Sequence, residues 1–327
     1  MTLMRAVVHA GAGGTDVLHL RDVEAPVPGP EQIRVRVRAA GLNRADILQR
    51  KGRYPAPPGW PADIPGLEYA GEVEMLGQGA RRWRLKDRVM GLVGGGAHAE
   101  YVVVHQDEAI AIPSGLSFTQ AAAIPEAFLT AWDALVTRGR LQRGERVLIH
   151  AVGSGVGTAA VQLARRLGAA AVGTSRNPAK LEQARSLGLD EAISTASGWS
   201  ARSLSAPVDV ILDVLGGPAL AENLEALAPR GRLVLLGFLQ GPKTEVSLEP
   251  VLRKRLEIVG SVMRPRLLAE RVPLVSEFGA RVSPWFTGGS VAMQPVVGAT
   301  YPFGDIAAAH IAMEEDRNFG KIVLAWS

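Results

Sequence analysis

The chain has 327 residues, a length that suits two domains rather than one, and at 47% hydrophobic and 21% charged it lies in the ordinary globular range. It has no cysteine, which excludes disulfides, thiolate nucleophiles and cysteine-ligated metals and fits a reducing, cytoplasmic setting. Its 36 basic and 32 acidic residues leave +4, spread along the chain, so charge supports no nucleic-acid role; neither a signal-peptide core nor a membrane-spanning apolar run is expected.

The first third reads as strands and loops. Ile33, Val35 and Val37 alternate with Arg34, Arg36 and Arg38, the period of two of a strand with one buried face. Pro55, Pro57, Pro58, Pro61 and Pro65 exclude a helix or central strand after Tyr54. They predict an ordered surface loop of the kind that often borders a binding site. Apolar strands are expected over 67–76 and 101–104, the second entered through a glycine turn at 94–96.

Near residue 123 the period changes. AAAIPEAFLTAWDALV has helical spacing, with Pro125 early, where a helix tolerates it. Strands and helices then alternate, which predicts a doubly wound parallel sheet of the α/β class. A strand over 146–151 leads to a helix over 155–167, in which Val156, Ala160, Leu163 and Leu167 form one apolar stripe and Gly168 supplies the stop. Next come a strand over 169–174 and a helix capped by Asn177, primed by Pro178 and ended by Gly188. Further strands are expected over 208–212, 231–236 and 256–262. Beyond Pro265 regularity weakens until the tail from Pro295, whose last strand is expected to complete the first domain. The expected division is 1–123 with 264–327, and 124–263.

The strongest motif is VLIHAVGSGVGTAAVQLARRLG, residues 147–168: strand, glycine turn, helix. Gly153, Gly155 and Gly157, with Ser154 and Val156 between them, let backbone approach a pyrophosphate at a helix N-terminus. Charge-assisted hydrogen bonds of this type contribute about 1.5–3 kcal/mol each. The spacing is G-x-G-x-G, weak alone but specific within a strand–turn–helix–strand unit. At the end of the next strand an NAD site usually carries an acid for the ribose. This chain has Gly173, Thr174, Ser175 and Arg176 there, with Lys180 one turn on, a set that suits the 2′-phosphate of NADPH.

These parts, together with AAGLNRADILQRKGRY (39–54), GLEYAGEV (66–73), QAAAIPEAFLTA (120–131) and NFGKIVL (318–324), resemble the medium-chain dehydrogenase/reductase superfamily over essentially the whole chain. Within it the sequence is similar to the zinc-free quinone oxidoreductase branch, which includes the tumour-suppressor-inducible type and zeta-crystallin. The resemblance implies a GroES-like, partly open β-barrel built from both chain ends and a Rossmann NADP-binding domain between them, with the site in the interdomain cleft. It also implies a homodimer or homotetramer joined through the edge strand at 256–262. Zinc-dependent relatives carry C-x-x-D and G-H-E; the matching stretches here read Asn43-Arg44-Ala45-Asp46 and Gly66-Leu67-Glu68. Two ligands are lost, so no metal is expected. Without a Lewis acid, an already electrophilic acceptor is favoured over an alcohol.

By the same resemblance, Asn43, Asp46 and Tyr54 are the expected catalytic residues, with Tyr54 bonding the acceptor oxygen or the nicotinamide region and Asn43 positioning it. Thr130 is expected at the nicotinamide. Phe238, Met263 and Asn318 are expected on the cofactor's far side. Thr195 stands where the family often has a tyrosine near the 2′-phosphate. The activity expected is NADPH:quinone oxidoreduction. The alternatives are an enoyl or 2-alkenal reductase and, from another class, a non-catalytic NADPH-loaded RNA-binding or structural protein.

Overall fold

The computed structural model describes residues 2–288 and 292–326. The chain divides into two compact units, Met1–Leu129 with Met263–Ser327, and Thr130–Val262.

The chain begins with a two-stranded antiparallel hairpin, β1 (Leu3–His9) and β2 (Leu18–Glu24). The long strand β3 (Gln32–Leu42) follows and organises the first unit. It pairs antiparallel with β4 (Glu68–Leu76) along its length, and its first half also pairs with β6 (Tyr101–His105). Register shifts at Arg34/Val35 and Val37/Ala39 bend it, as bulges do. Strands β5 (Arg88–Leu92) and β7 (Ala109–Ala111) extend the sheet from β4. Ile33, Val35 and Val37 are buried, as their alternation predicts. Arg34 departs from that alternation: it is 5% exposed, because its guanidinium lies over the Tyr101 ring and its Nε donates to Glu74 at 2.7 Å.

The second unit is a six-stranded parallel sheet of β8 (Arg146–Ile149), β9 (Ala170–Ser175), β10 (Glu191–Ser194), β11 (Val208–Asp213), β12 (Leu227–Leu235) and β13 (Glu257–Gly260). Its order is β10-β9-β8-β11-β12-β13. This is the doubly wound arrangement, with its topological switch point between β8 and β11, where such sheets bind ligands beyond the strand ends. Leu148, Val172, Ile211 and Leu233 form its buried centre.

The chain then returns to the first unit. β14 (Val297–Pro302) pairs with β15 (Lys321–Ala325), and β15 pairs antiparallel with the second half of β3, so the C-terminal strand closes onto Ala39–Leu42. The weak regularity past Pro265 conceals a helix, Leu268–Arg281, with Pro273 inside it. Proline removes one internal donor and obscures the helical pattern, yet Leu274, Val275 and Phe278 bury a common face and hold the helix in place. None of the described helices is long and apolar enough to cross a membrane.

Candidate functional site

In the second unit β8 ends at Ile149 and the chain turns into the helix Gly155–Leu167. Ala151 takes φ +51°, a left-handed conformation that strains a residue bearing a Cβ. The turn is tied down by Val152 N donating to Thr174 O at 3.0 Å and Ser154 N to Ala151 O at 2.9 Å. Ser154 caps the helix, its Oγ accepting from Gly157 N at 3.0 Å. The amides of Gly155 and Val156 lie ahead of the first intrahelical bond, at the end of the helix that favours an anion.

The glycines have steric reasons. A Cβ on Gly157 would stand 2.6 Å from Val152 O and 2.7 Å from Ala151 O, both backbone atoms that cannot move aside. At Gly153 a Cβ would meet the Lys180 stem at 2.7 Å, so Lys180 covers the turn. At Gly173 a Cβ would meet Val152 and Leu189 at 2.8 Å. This close packing brings Gly153 through Gly157, Gly173 and Lys180 together around one helix N-terminus. The cradle is the kind that fits a dinucleotide pyrophosphate.

The end of β9 is equally well defined. Ser175 Oγ accepts from Asn177 N at 3.1 Å, Asn177 Oδ1 accepts from Ala179 N at 2.9 Å, and Thr195 N donates to Ser175 O at 2.9 Å. Ser175 and Thr195 therefore stand side by side, with exposed Arg176 following directly and no acid between residues 173 and 180. Thr174 faces inward. Its Oγ1 meets His150 Nδ1 at 2.9 Å, while His150 Nε2 donates to Asn223 Oδ1 at 2.8 Å. Burial pushes the His150 pKa down, against the opposing pull of Asp213 and the Asn223 bond, so the ring is a neutral part of the floor. Phe238 is 55% exposed and leans on Gly216, at the same end of the sheet. Thr130 is buried, and its Oγ1 has no hydrogen-bond partner among the described residues. An orphaned hydroxyl of this kind calls for a ligand or a water.

The first unit carries a charged cluster that sequence reading found only in part. Lys321 Nζ donates to Leu42 O at 2.9 Å, Asn43 Oδ1 at 2.6 Å and Glu68 Oε1 at 2.5 Å. Asn43 Nδ2 donates to Glu68 Oε1 at 2.9 Å, and the two charged neighbours fix which way the amide points. Glu68 Oε2 accepts from Glu126 N at 2.7 Å. Glu68 and Lys321 have side chains only 0% and 6% exposed, so each charge is compensated within the cluster.

Asp46 is fully buried. Its two oxygens accept from Asn43 N at 2.8 Å and Gly66 N at 3.0 Å, fastening the helix Arg44–Arg50 to the residues before β4. Both Asp46 oxygens are thus engaged by backbone.

A small pocket within this unit is lined by Leu67, Leu92, Val93, Gly94, Glu126, Met263, Arg264 and Arg271. Arg264 Nε donates to Gly94 O at 2.7 Å, Nη1 to Tyr54 O at 3.0 Å and Nη2 to Gln49 Oε1 at 2.6 Å. The Tyr54 ring lies 5.1 Å from the guanidinium, which organises the proline-rich loop around it. Burial first, then the Glu126 charge, raises the Tyr54 pKa, with Arg264 opposing. The Glu126 carboxyl is pushed up to about 7 by burial and by Glu68. Met263 is buried beside them. Asn318 is turned to its own segment, Nδ2 donating to Gly320 O at 2.6 Å.

Glu68, Glu126, Arg264 and Lys321 were missed as site residues. Glu68, Glu126 and Lys321 lie inside the motifs 66–73, 120–131 and 318–324, but only the folded arrangement gives them meaning.

Comparison with known proteins places these observations. Residues 29–114 match the family described as alcohol dehydrogenase GroES-like domain, and residues 155–280 that described as zinc-binding dehydrogenase. The chain is 34% identical over 332 residues to the quinone oxidoreductase of Pseudomonas aeruginosa, covering 98% of this chain and 99% of that one. Among solved structures, an NAD-dependent alcohol dehydrogenase is 31% identical with a TM-score of 0.85, covering 99% of this chain and 100% of that one. CurK enoyl reductase is 26% identical with a TM-score of 0.82, covering 99% of each chain. The zinc in the family description does not fit the residues present: 43–46 and 66–68 offer neither Cys nor His, and the Lys321 ammonium takes the oxygens of Asn43 and Glu68 and repels a second cation. Identity at this level over nearly the whole of both chains shows that the protein belongs to the quinone oxidoreductase branch of the medium-chain dehydrogenase/reductase superfamily, oxidoreductases that use a nicotinamide cofactor.

Proposed function

We propose that the protein reduces quinones or related conjugated carbonyls with NADPH and without a metal. The observation that carries this reading is the Lys321 ammonium bonded to Asn43 and Glu68, a cation built into the chain among oxygens that a metal would need. With no Lewis acid to acidify an alcohol, the acceptor must already be electrophilic.

The turn Gly153–Gly157 would hold the cofactor pyrophosphate, Ser175, Arg176, Lys180 and Thr195 the adenosine 2′-phosphate, and Thr130 the nicotinamide. When bound, the cofactor supplies hydride. Tyr54 stays protonated at neutral pH and can donate a hydrogen bond to the acceptor oxygen. Asn43 and Asp46 act by holding the helix Arg44–Arg50 in place, so position rather than a strong base supplies their effect. Phe238 and Met263 offer apolar surface to the cofactor. Asn318 gives one Nδ2 proton to Gly320 O, and its Oδ1 remains an acceptor that such a contact could use.

NADPH oxidation followed by absorbance against quinones and enals, with NADH and a chelator as controls, tests the whole reading. Turnover that prefers NADPH and survives chelation is expected. Preference for NADH would remove the role given to Arg176, and loss of activity on chelation would remove the metal-free mechanism. Similarity to CurK enoyl reductase favours conjugated carbon–carbon double bonds as a second acceptor class. For assembly we propose a homodimer through β13, the outermost strand, where Ile258 and Val262 are 42% and 50% exposed beside an open edge. Sedimentation of the Ile258→Lys variant as a monomer would support this.

A further inference from the structure

We propose that Glu126 is the proton donor that completes reduction of a conjugated carbonyl, delivering its proton through the pocket it shares with Arg264, whose volume of about 10 Å³ suits one relaying water, an inference that rests on the reductase reading above. Its position makes the case. The side chain lines the pocket, while its backbone N–H is anchored on Glu68 Oε2 at 2.7 Å at the start of the helix Pro125–Trp132. Its carboxylate accepts no hydrogen bond from the described residues.

The other titratable groups facing it are committed. Glu68 is paired with Lys321, and Lys321 directs its protons to Leu42, Asn43 and Glu68. Both oxygens of Asp46 hold backbone amides. Arg264 binds Gly94, Tyr54 and Gln49, and Arg271 binds Glu108 and the Arg266 carbonyl. Tyr54 holds its proton more tightly than an ordinary phenol. Glu126 alone combines access to the pocket with a proton it can release near neutral pH, since burial and Glu68 raise it to about 7, with Asp46 adding to the rise and Lys321 and Arg264 opposing it. A donor poised near the working pH is the most effective general acid.

The step balances. An acceptor that has gained hydride carries the extra electron pair as an enolate or a hydroquinone anion. The Glu126 O–H bond breaks, its proton forms the new C–H or O–H bond, and the carboxylate keeps the bonding pair until water reprotonates it. A hydroquinone anion is aromatic and takes a proton from water readily, whereas an enolate must be protonated at carbon. The pocket acid therefore matters more for enals than for quinones.

The test compares the wild type with Glu126→Gln, which keeps the shape and removes the proton. In the cofactor-free protein, an infrared carboxylic-acid band should titrate near pH 7 and be missing from the variant. With an enal, wild-type kcat/KM should fall above the same pH; the variant should lose roughly 100-fold at neutral pH, the lower end for general acid catalysis, and show no such fall. Quinone turnover should drop less, and NADPH affinity, which also reports folding, should stay unchanged. Wild-type turnover matched by Glu126→Gln in rate and pH profile would overturn the proposal and leave the reductase reading intact. So would a carboxyl that titrates in the ordinary glutamate range. A wild type that reduces no acceptor would instead overturn the reductase reading itself.

Discussion

The glycine turn after β8 and the charged cluster of the first unit are built by different means. Around the turn, residues from one stretch, 146 to 195, are brought together largely by main-chain bonds and by glycines that admit no extra atom: Val152 to Thr174, Thr195 to Ser175, Gly157 against the Val152 carbonyl. In the first unit, Asn43, Glu68 and Lys321 come from distant stretches and meet through side chains, and the Glu68 side chain also holds the Glu126 backbone N–H. The first construction is sensitive to added volume, the second to a missing charge. A site for a large polyanion needs an array of amides, which backbone provides. A small reactive pocket needs a few charges in set positions, which only side chains provide.

Five substitutions, one of them a second-site change, would break or sharpen this contrast. The largest effect is expected from Lys321→Met, which leaves Glu68 charged and buried without its partner and should cost about 3–5 kcal/mol in urea unfolding. Adding Glu68→Gln should recover part of that loss; no recovery would mean that the cluster is not held by charge. Next comes Gly157→Val, whose new atoms meet immovable carbonyls; titration should show NADPH binding weakened by tenfold or more, with stability lower by about 1–3 kcal/mol. Tight binding in that variant would show that the turn tolerates bulk after all. Arg176→Ala should raise the Kd for NADPH by about the 1.5–3 kcal/mol of one charge-assisted bond while leaving NADH unchanged, read by calorimetry with the two cofactors side by side. Equal weakening of both would place Arg176 away from the 2′-phosphate. The smallest effect is expected from Ser154→Ala, which removes the cap on Gly157 N and should cost about 1 kcal/mol in thermal unfolding.

The same contrast explains what could be read before any coordinates. The parallel sheet was legible because its signals are local: the apolar stripe of 155–167, the Asn177-Pro178 helix start, and Gly153, Gly155 and Gly157 between strand and helix. The first unit was legible only in pieces. The alternation of β3 could be read, but not the cover over Arg34, since Tyr101 and Glu74 come from other strands. The helix Leu268–Arg281 was hidden by Pro273 and exists because its apolar face finds a surface to bury against. Asp46 stands out in the motif around it, yet its bonds to two backbone amides could not be foreseen from that motif.

The sequence by itself therefore determined the α/β fold, the glycine turn ahead of the helix Gly155–Leu167 and the lack of Cys and His in 43–46 and 66–68, because each is written in neighbouring residues with a short-range physical meaning. Only the tertiary structure decided that Lys321 meets Asn43 and Glu68 and that Glu126 lines a pocket beside Arg264. Those facts depend on which buried charges meet across hundreds of residues, and the strength of a buried charge is set by the groups packed around it rather than by those beside it in the chain.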